Sequence, residues 1–128
     1  MKILTMILRV LLGLILLIPI LGAFGVFPAP TADLYSDPNG WAFMSALIVT
    51  GYMMPLIGLT CALALVLLVM NRTALMAVIL APLTLNVILF HIFLNVTPVS
   101  LESSLGWALF LLNAYFLWLN RAKYKTLW

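Results

Sequence analysis

The chain has 128 residues, of which 66% are hydrophobic and only 7% charged, with a formal net charge of +3 and a mean hydropathy of +1.28. Ordinary soluble domains carry about 25% charged residues, so the composition excludes a water-solvated globule of this size, which would lack the polar surface to cover itself. The expected solvent is a bilayer, and the length allows one compact domain. No Lys/Arg cluster is large enough for a phosphate-backbone footprint, so nucleic acid is not an expected partner. The single cysteine, Cys61, excludes an intramolecular disulfide and a two-cysteine membrane thiol oxidoreductase.

The charges alternate along the chain. Lys2 and Arg9 come first, then Asp33 and Asp37, then Arg72, then Glu102, then Arg121, Lys123 and Lys125. Long uncharged stretches separate them. Four membrane-crossing helices would place every base on one side and every acid on the other, and the positive-inside bias then puts both termini in the cytoplasm. The expected fold class is all-α, an integral membrane four-helix bundle, N-in/C-in, with antiparallel neighbours in the inner (cytoplasmic) membrane. A crossing helix needs about 20 apolar residues, and the expected spans are 3–27, 41–70, 73–96 and 105–120.

The first span has a rival reading as a secretory signal peptide, from Lys2, the apolar run and Gly22-Ala23. The run over 10–27 is longer than such a core, and Arg9 interrupts its start. Arg9 sits about two turns into the helix. It can snorkel to the headgroups, guard a pocket in the inner leaflet, or pair with an acidic ligand. In the first connection, Pro28, Pro30, Pro38 and Gly40 predict irregular backbone, and Asp37-Pro38 predicts an N-cap with proline at the first helical position.

The second span carries Gly51, Pro55 and Gly58 on one broad face, which predicts a helix-packing seam, with Tyr52 hydrogen-bonding across it. Its length allows tilt or projection beyond the membrane. The short Asn71-Arg72 connection predicts a hairpin of neighbouring helices. In the third span, Thr84, His91 and Asn95 fall within about 40° of one another at 100° per residue, with Asn86 on the opposite side. Pro82 frees a carbonyl about one turn earlier and allows a kink. Thr97-Pro98 opens the last connection, and Ser103 or Ser104 is the expected cap of the fourth span. Asn113 is a candidate to bridge helices there. Trp41 and Trp107 mark the outer interface. Trp118, Tyr124 and Trp128, interleaved with Arg121, Lys123 and Lys125, mark the inner one, either as anchors or as an anionic-lipid site.

Polar groups in hydrocarbon point to helix association or to function. Neutral imidazole both donates and accepts, so His91 suits either a ligand or a neighbouring helix. One histidine cannot make a metal site. No paired ligands exist for haem or an iron–sulfur cluster, and Ser45, Ser100, Ser103 and Ser104 have no evident histidine–acid partners. No catalytic or metal-binding residue is therefore assigned. The ligand-contacting candidates are Arg9, Tyr52, Asn86, His91 and Asn95.

The run Thr50-Gly51-Tyr52-Met53-Met54-Pro55-Leu56-Ile57-Gly58, the Asn71-Arg72 hairpin, Leu80-Ala81-Pro82, Asn86 and Phe90-His91-Ile92-Phe93-Leu94 resemble the DoxX-like family. Arg9 and the 22–27 end of the first span fit as well, so the resemblance covers nearly the whole chain. It implies a small four-helix membrane protein in which Arg9, Tyr52, Asn86 and His91 match recurring positions. It further implies a non-catalytic accessory subunit of a quinone-linked or redox membrane complex, with a partner protein and a quinone as ligand. The chain departs where many relatives carry an acid shortly after the position of Gly58. Thr60 and Cys61 stand there instead, which weakens a proton-coupled role. An alternative is a lipid-binding or partner-stabilising membrane protein without turnover, alone or as a homo-oligomer. A weaker one is a small transporter. Four-span multidrug transporters depend on an intramembrane glutamate, whereas no carboxylate falls within any expected span here, and the charge bias opposes dual topology.

Overall fold

The computed structural model describes residues 2–28, 30–35, 37–94 and 101–127, with side chains for all of these but 101–103 and 127. The expectations placed on Asn95, Thr97, Pro98, Ser100 and Trp128 lie outside the described residues, as does the expected end of the third span at 95–96. Among the described residues the regular structure is helical throughout.

Helix α1 covers Lys2–Ala23 and buries Leu12, Ile15, Leu16 and Ile20, one stripe at helical spacing. Its opposite face (Ile3, Ile7, Val10, Leu14, Ile18, Leu21) is apolar and exposed. α1 stops in a Schellman motif. Gly25 takes φ +79°, its N–H bonds Gly22 O at 3.1 Å, and the Val26 N–H bonds Leu21 O at 3.0 Å. A 3₁₀ turn at Ala32–Leu34 follows. There Thr31 Oγ1 donates to the Asp33 carboxylate, holding that carboxyl below its ordinary range.

Helix α2 covers Pro38–Val49, with Asp37 as its N-cap and Pro38 in the first turn. The Asp37 side chain accepts from the Asn39 N–H at 2.9 Å. Helix α3 covers Met53–Val69. The single span expected over 41–70 is thus two helices, meeting at 88°. The cause is local. Gly51 adopts φ +76°, a left-handed conformation that ends α2. Thr50 Oγ1 then accepts from the Met53 N–H at 3.2 Å, and Pro55 falls in the first turn of α3, where a missing N–H costs nothing.

α3 ends in a second Schellman motif, now with Asn71 at φ +66°. The Asn71 N–H bonds Leu68 O at 3.2 Å and the Arg72 N–H bonds Leu67 O at 2.8 Å. Helix α4 covers Thr73–Leu89, passes through Pro82, and continues as a π-helical turn at Phe90–Leu94. Helix α5 covers Leu101–Leu119. Ser103 and Ser104 are already inside it, so neither is its cap. The helix starts earlier, at Leu101. Helix α6, Arg121–Tyr124, closes the chain before a 3₁₀ turn at Lys125–Leu127.

α1 packs on α3 and α5, and α4 packs on α3 and α5. The core between them is Leu12, Leu16, Ala64, Leu68, Met76, Leu80 and Phe116, with Cys61 among them. Gly58, Cys61 and Ala64 give α3 a buried stripe of small residues, and small residues let helices approach closely. A Cβ on Gly58 would collide with the Cβ of Ala23. This seam differs from the one expected. Gly51 and Pro55 are exposed because the chain turns at Gly51, and only Gly58 of that trio lies in a helix contact.

Two stretches, Lys2–Ala23 and Thr73–Leu94, are long and apolar enough to cross a membrane. The α2–α3 pair meets the same test only as a bent unit, and Ser104–Leu119 is apolar but shorter. Exposed apolar faces on α1 and on α3, including Leu59, Leu63 and Val66, exceed what a soluble monomer shows to water.

One end of the structure collects the basic residues. Arg9 Nη2 donates to Leu68 O at 2.6 Å, Thr5 and Tyr115 share a hydrogen bond of 3.1 Å, Asn120 Nδ2 donates to Thr73 Oγ1 at 3.1 Å, and Tyr124 Oη donates to Ala74 O at 2.8 Å. The start of α1, the α3–α4 junction and the end of α5 therefore meet, bringing together the segments that carry Lys2, Arg9, Arg72, Arg121 and Lys123. The Arg121 guanidinium stacks 4.3 Å from the Trp118 ring centroid.

Candidate functional site

Because α2 turns through 88° from α3, it cannot continue along the other helices and instead lies across the acidic end. A cavity of about 440 Å³ remains beneath it. α2 contributes Phe43, Met44 and Leu47, and α3 contributes Met53, Met54 and Ile57. The α4 wall is Pro82, Leu83, Asn86 and Val87, completed by Phe90 and His91 from the π-helical turn and Tyr35 from the loop before α2. The lining is apolar, flexible at its methionines, and carries three polar groups: the Asn86 amide, the His91 imidazole and the Tyr35 phenol.

Aromatic rings form one wall. Tyr35 meets Phe90 edge-on at 6.2 Å and Trp41 at 5.7 Å. Phe43 lies 5.7 Å from Phe90, and Phe90 lies 5.3 Å from the His91 ring. These separations suit edge-to-face and tilted aromatic contacts. His91 is seated from behind by α5. A Cβ on Gly106 would stand 2.8 Å from both Cδ2 and Nε2 of the imidazole, so the ring rests where α5 has no side chain.

The structure divides the predicted ligand residues. Asn86 and His91, expected on opposite sides of the third span, line the same cavity. Two features account for this. The π-helical turn holds more residues per revolution and changes the direction of every residue after Leu89, and the cavity wraps around α4 from Pro82 to His91. Tyr52 is 63% exposed at the α2–α3 break and is not part of the lining. The break removes the continuous helix on which its seam position depended. Thr84, expected beside His91, is instead buried against α5, where Asn113 Nδ2 donates to its Oγ1 at 3.3 Å. Asn95 lies outside the described residues. Arg9 lies at the other end, beside a separate hollow of about 220 Å³ between α1 and α3.

Tyr35, Phe43 and Gly106 are not marked by the sequence, and Phe90 enters only within the run that carries the family resemblance. Phe43 and Phe90 sit in largely apolar runs, where hydrophobicity carries no direction. Gly106 could be noticed as a helix glycine, but its reason appears only with the imidazole against it. Among the described residues, no three His, Cys, Asp or Glu side chains come together to hold a metal ion. The cavity can receive a mainly apolar molecule, stack a flat ring against its aromatic wall, and donate hydrogen bonds to carbonyl oxygens. No family model, curated protein or solved structure matches the chain.

Proposed function

We propose that this chain is a DoxX-like, non-catalytic membrane subunit of a quinone-linked or redox complex, and that the cavity beneath α2 holds a quinone headgroup. The observation that carries this reading is the convergence of Asn86, His91 and Tyr35 on one apolar cavity with an aromatic wall. A quinone presents a flat ring with two carbonyl acceptors on an apolar body, and a slot with few well-placed donors suits it. In this reading the protein is a four-span bundle of antiparallel neighbours in the inner membrane. Both termini are cytoplasmic, α2 lies along the outer interface, and the acidic end faces outward. The segregation of bases supports that orientation through the positive-inside bias. A partner protein would supply the redox centre, and the apolar faces of α1 and α3 offer surface for it or for lipid.

The test is native mass spectrometry of the chain extracted with its surrounding lipid, followed by titration with a short-chain ubiquinone. A stoichiometric quinone is expected in the wild type, with occupancy reduced about tenfold in His91→Ala and in His91→Phe, the effect of losing one well-placed buried hydrogen bond. Unchanged occupancy in both variants rejects the assignment. The second reading, lipid binding without turnover, draws on the same cavity's methionine-rich lining. It predicts phospholipid alone in the extracted species.

A further inference from the structure

We propose a second ligand site at the opposite end of the molecule, where Arg9 and the hollow beneath it bind the phosphate and upper acyl chain of an anionic phospholipid. This site does not depend on what occupies the cavity under α2.

Arg9 is half-buried and its guanidinium is turned toward α3, where Nη2 donates to Leu68 O at 2.6 Å. That bond fixes the group and uses one of its five N–H donors, leaving a planar fork suited to phosphate oxygens. All three acids of the chain, Asp33, Asp37 and Glu102, belong to segments at the far end. Among the described side chains, the carboxylates of Asp33 and Asp37 therefore lie at the opposite end from the positive charge of Arg9. A cation held in an otherwise apolar setting calls for an anion, and in a membrane the abundant one is a lipid phosphate.

The shape of the hollow favours a lipid over a free anion. It measures about 220 Å³ and lies in the groove between α1 and α3, lined by Gly13 and Leu65 on the deeper side of Arg9, by Val10 and Leu68 beside it, and by Met6 and Val69 toward the basic end. Gly13 is one helical turn further into α1 than Arg9 and on the same face. A Cβ there would stand 3.5 Å from Leu65 Cδ1 and 3.7 Å from Leu68 Cδ2. These are ordinary contact distances, so the glycine is not forced by helix contact, and its missing side chain is what opens the groove floor. A charged head above an apolar trough one turn deep matches a phosphodiester followed by its first methylenes. Basic pockets between helices on the cytoplasmic side are the usual setting for anionic headgroups.

The experiment places the full-length protein in nanodiscs of equimolar phosphatidylglycerol and phosphatidylcholine and identifies the lipids retained after graded delipidation. Wild type is expected to keep one phosphatidylglycerol in about fivefold to tenfold preference over phosphatidylcholine, and Arg9→Gln to lose that preference. Gly13→Leu, which fills the trough and leaves the guanidinium in place, is expected to release the lipid as well. It keeps the proposal testable if Arg9→Gln does not fold. Lys2→Gln removes an exposed basic residue of the same end and is expected to leave the retained lipid unchanged. Equal retention of the two lipids by wild type would mean that Arg9 serves only Leu68 O, and would overturn the site. So would a Lys2→Gln loss equal to that of Arg9→Gln, which would reveal a diffuse surface charge effect. Displacement of the lipid by millimolar inorganic phosphate would also overturn it, by showing that the trough contributes nothing.

Discussion

The imidazole of His91 rests on the backbone of α5 at Gly106, where a Cβ would stand 2.8 Å from both Cδ2 and Nε2 and 3.2 Å from Val87 Cγ1. This contact sets how the only histidine of the chain faces the cavity under α2. Gly106→Ala is expected to push the ring from its seat. Helix propensity favours alanine by about 1 kcal/mol and offsets much of the strain, so stability is expected to change little. The imidazole ¹⁵N resonances, which this chain gives from one residue only, are expected to shift, and retention of the proposed quinone to fall. Unshifted resonances would show that the ring does not depend on Gly106.

The α1–α3 contact admits a reciprocal test. A Cβ on Gly58 collides with that of Ala23, so Gly58→Ala forces the helices apart at the acidic end. Overpacking of this kind costs about 1–3 kcal/mol. Adding Ala23→Gly removes the opposing methyl and is expected to recover most of the loss. Reversible unfolding in mixed micelles reads both variants, and a double variant no more stable than Gly58→Ala would mean that the collision is relieved elsewhere.

The parts of the fold legible in the sequence were those written in local backbone chemistry. Asp37-Pro38 marks the start of α2 because the cap and the restricted φ act within three residues. Asn71 marks the end of α3 because few side chains accept a positive φ. The break at Gly51 is equally local, with Thr50 before it and Pro55 just beyond, but an uncharged, mostly apolar run from 41 to 70 disguises it. Hydropathy reports that a segment avoids water and says nothing of its direction. The cavity was less legible still. Asn86 and His91 were singled out as polar residues in an apolar span, yet their meeting depends on the π-helical turn and on α2 lying across α4. Neither has a signature in residue spacing.

The Gly51 turn itself makes a prediction. At φ +76°, a side chain with a Cβ meets about 1–2 kcal/mol of backbone strain. Gly51→Val is expected to lose at least that much stability, and Gly51→Asn less, since asparagine tolerates the left-handed region. If the variant instead straightens the chain, a single helix over the two segments would open the roof of the cavity. Spin labels on α2 and α3 distinguish the two outcomes by distance. A Gly51→Val protein with unchanged stability and unchanged label distance would show that the turn does not need glycine.

The last prediction concerns the polar pair inside the core. Asn113 is 2% exposed and Thr84 1%. Asn113 Nδ2 donates to Thr84 Oγ1 at 3.3 Å, and the hydroxyl donates on to Ala81 O at 3.1 Å. The Asn113 Oδ1 atom is buried without a hydrogen-bond partner among the described residues. Thr84→Val therefore removes one of the amide's bonds while the amide stays buried, at a cost of about 1–3 kcal/mol. Replacing both, as Thr84→Val with Asn113→Leu, leaves no polar side-chain group to satisfy and is expected to be less damaging than Thr84→Val alone. The coupling from the four-protein cycle is expected at about 0.6 kcal/mol, the usual size for interhelical hydrogen bonds in membranes. Simple additivity would show that the two side chains do not stabilise one another. Rescue by the double variant would show that Asn113 is carried in this core at a cost in stability, with Thr84 there to contain it.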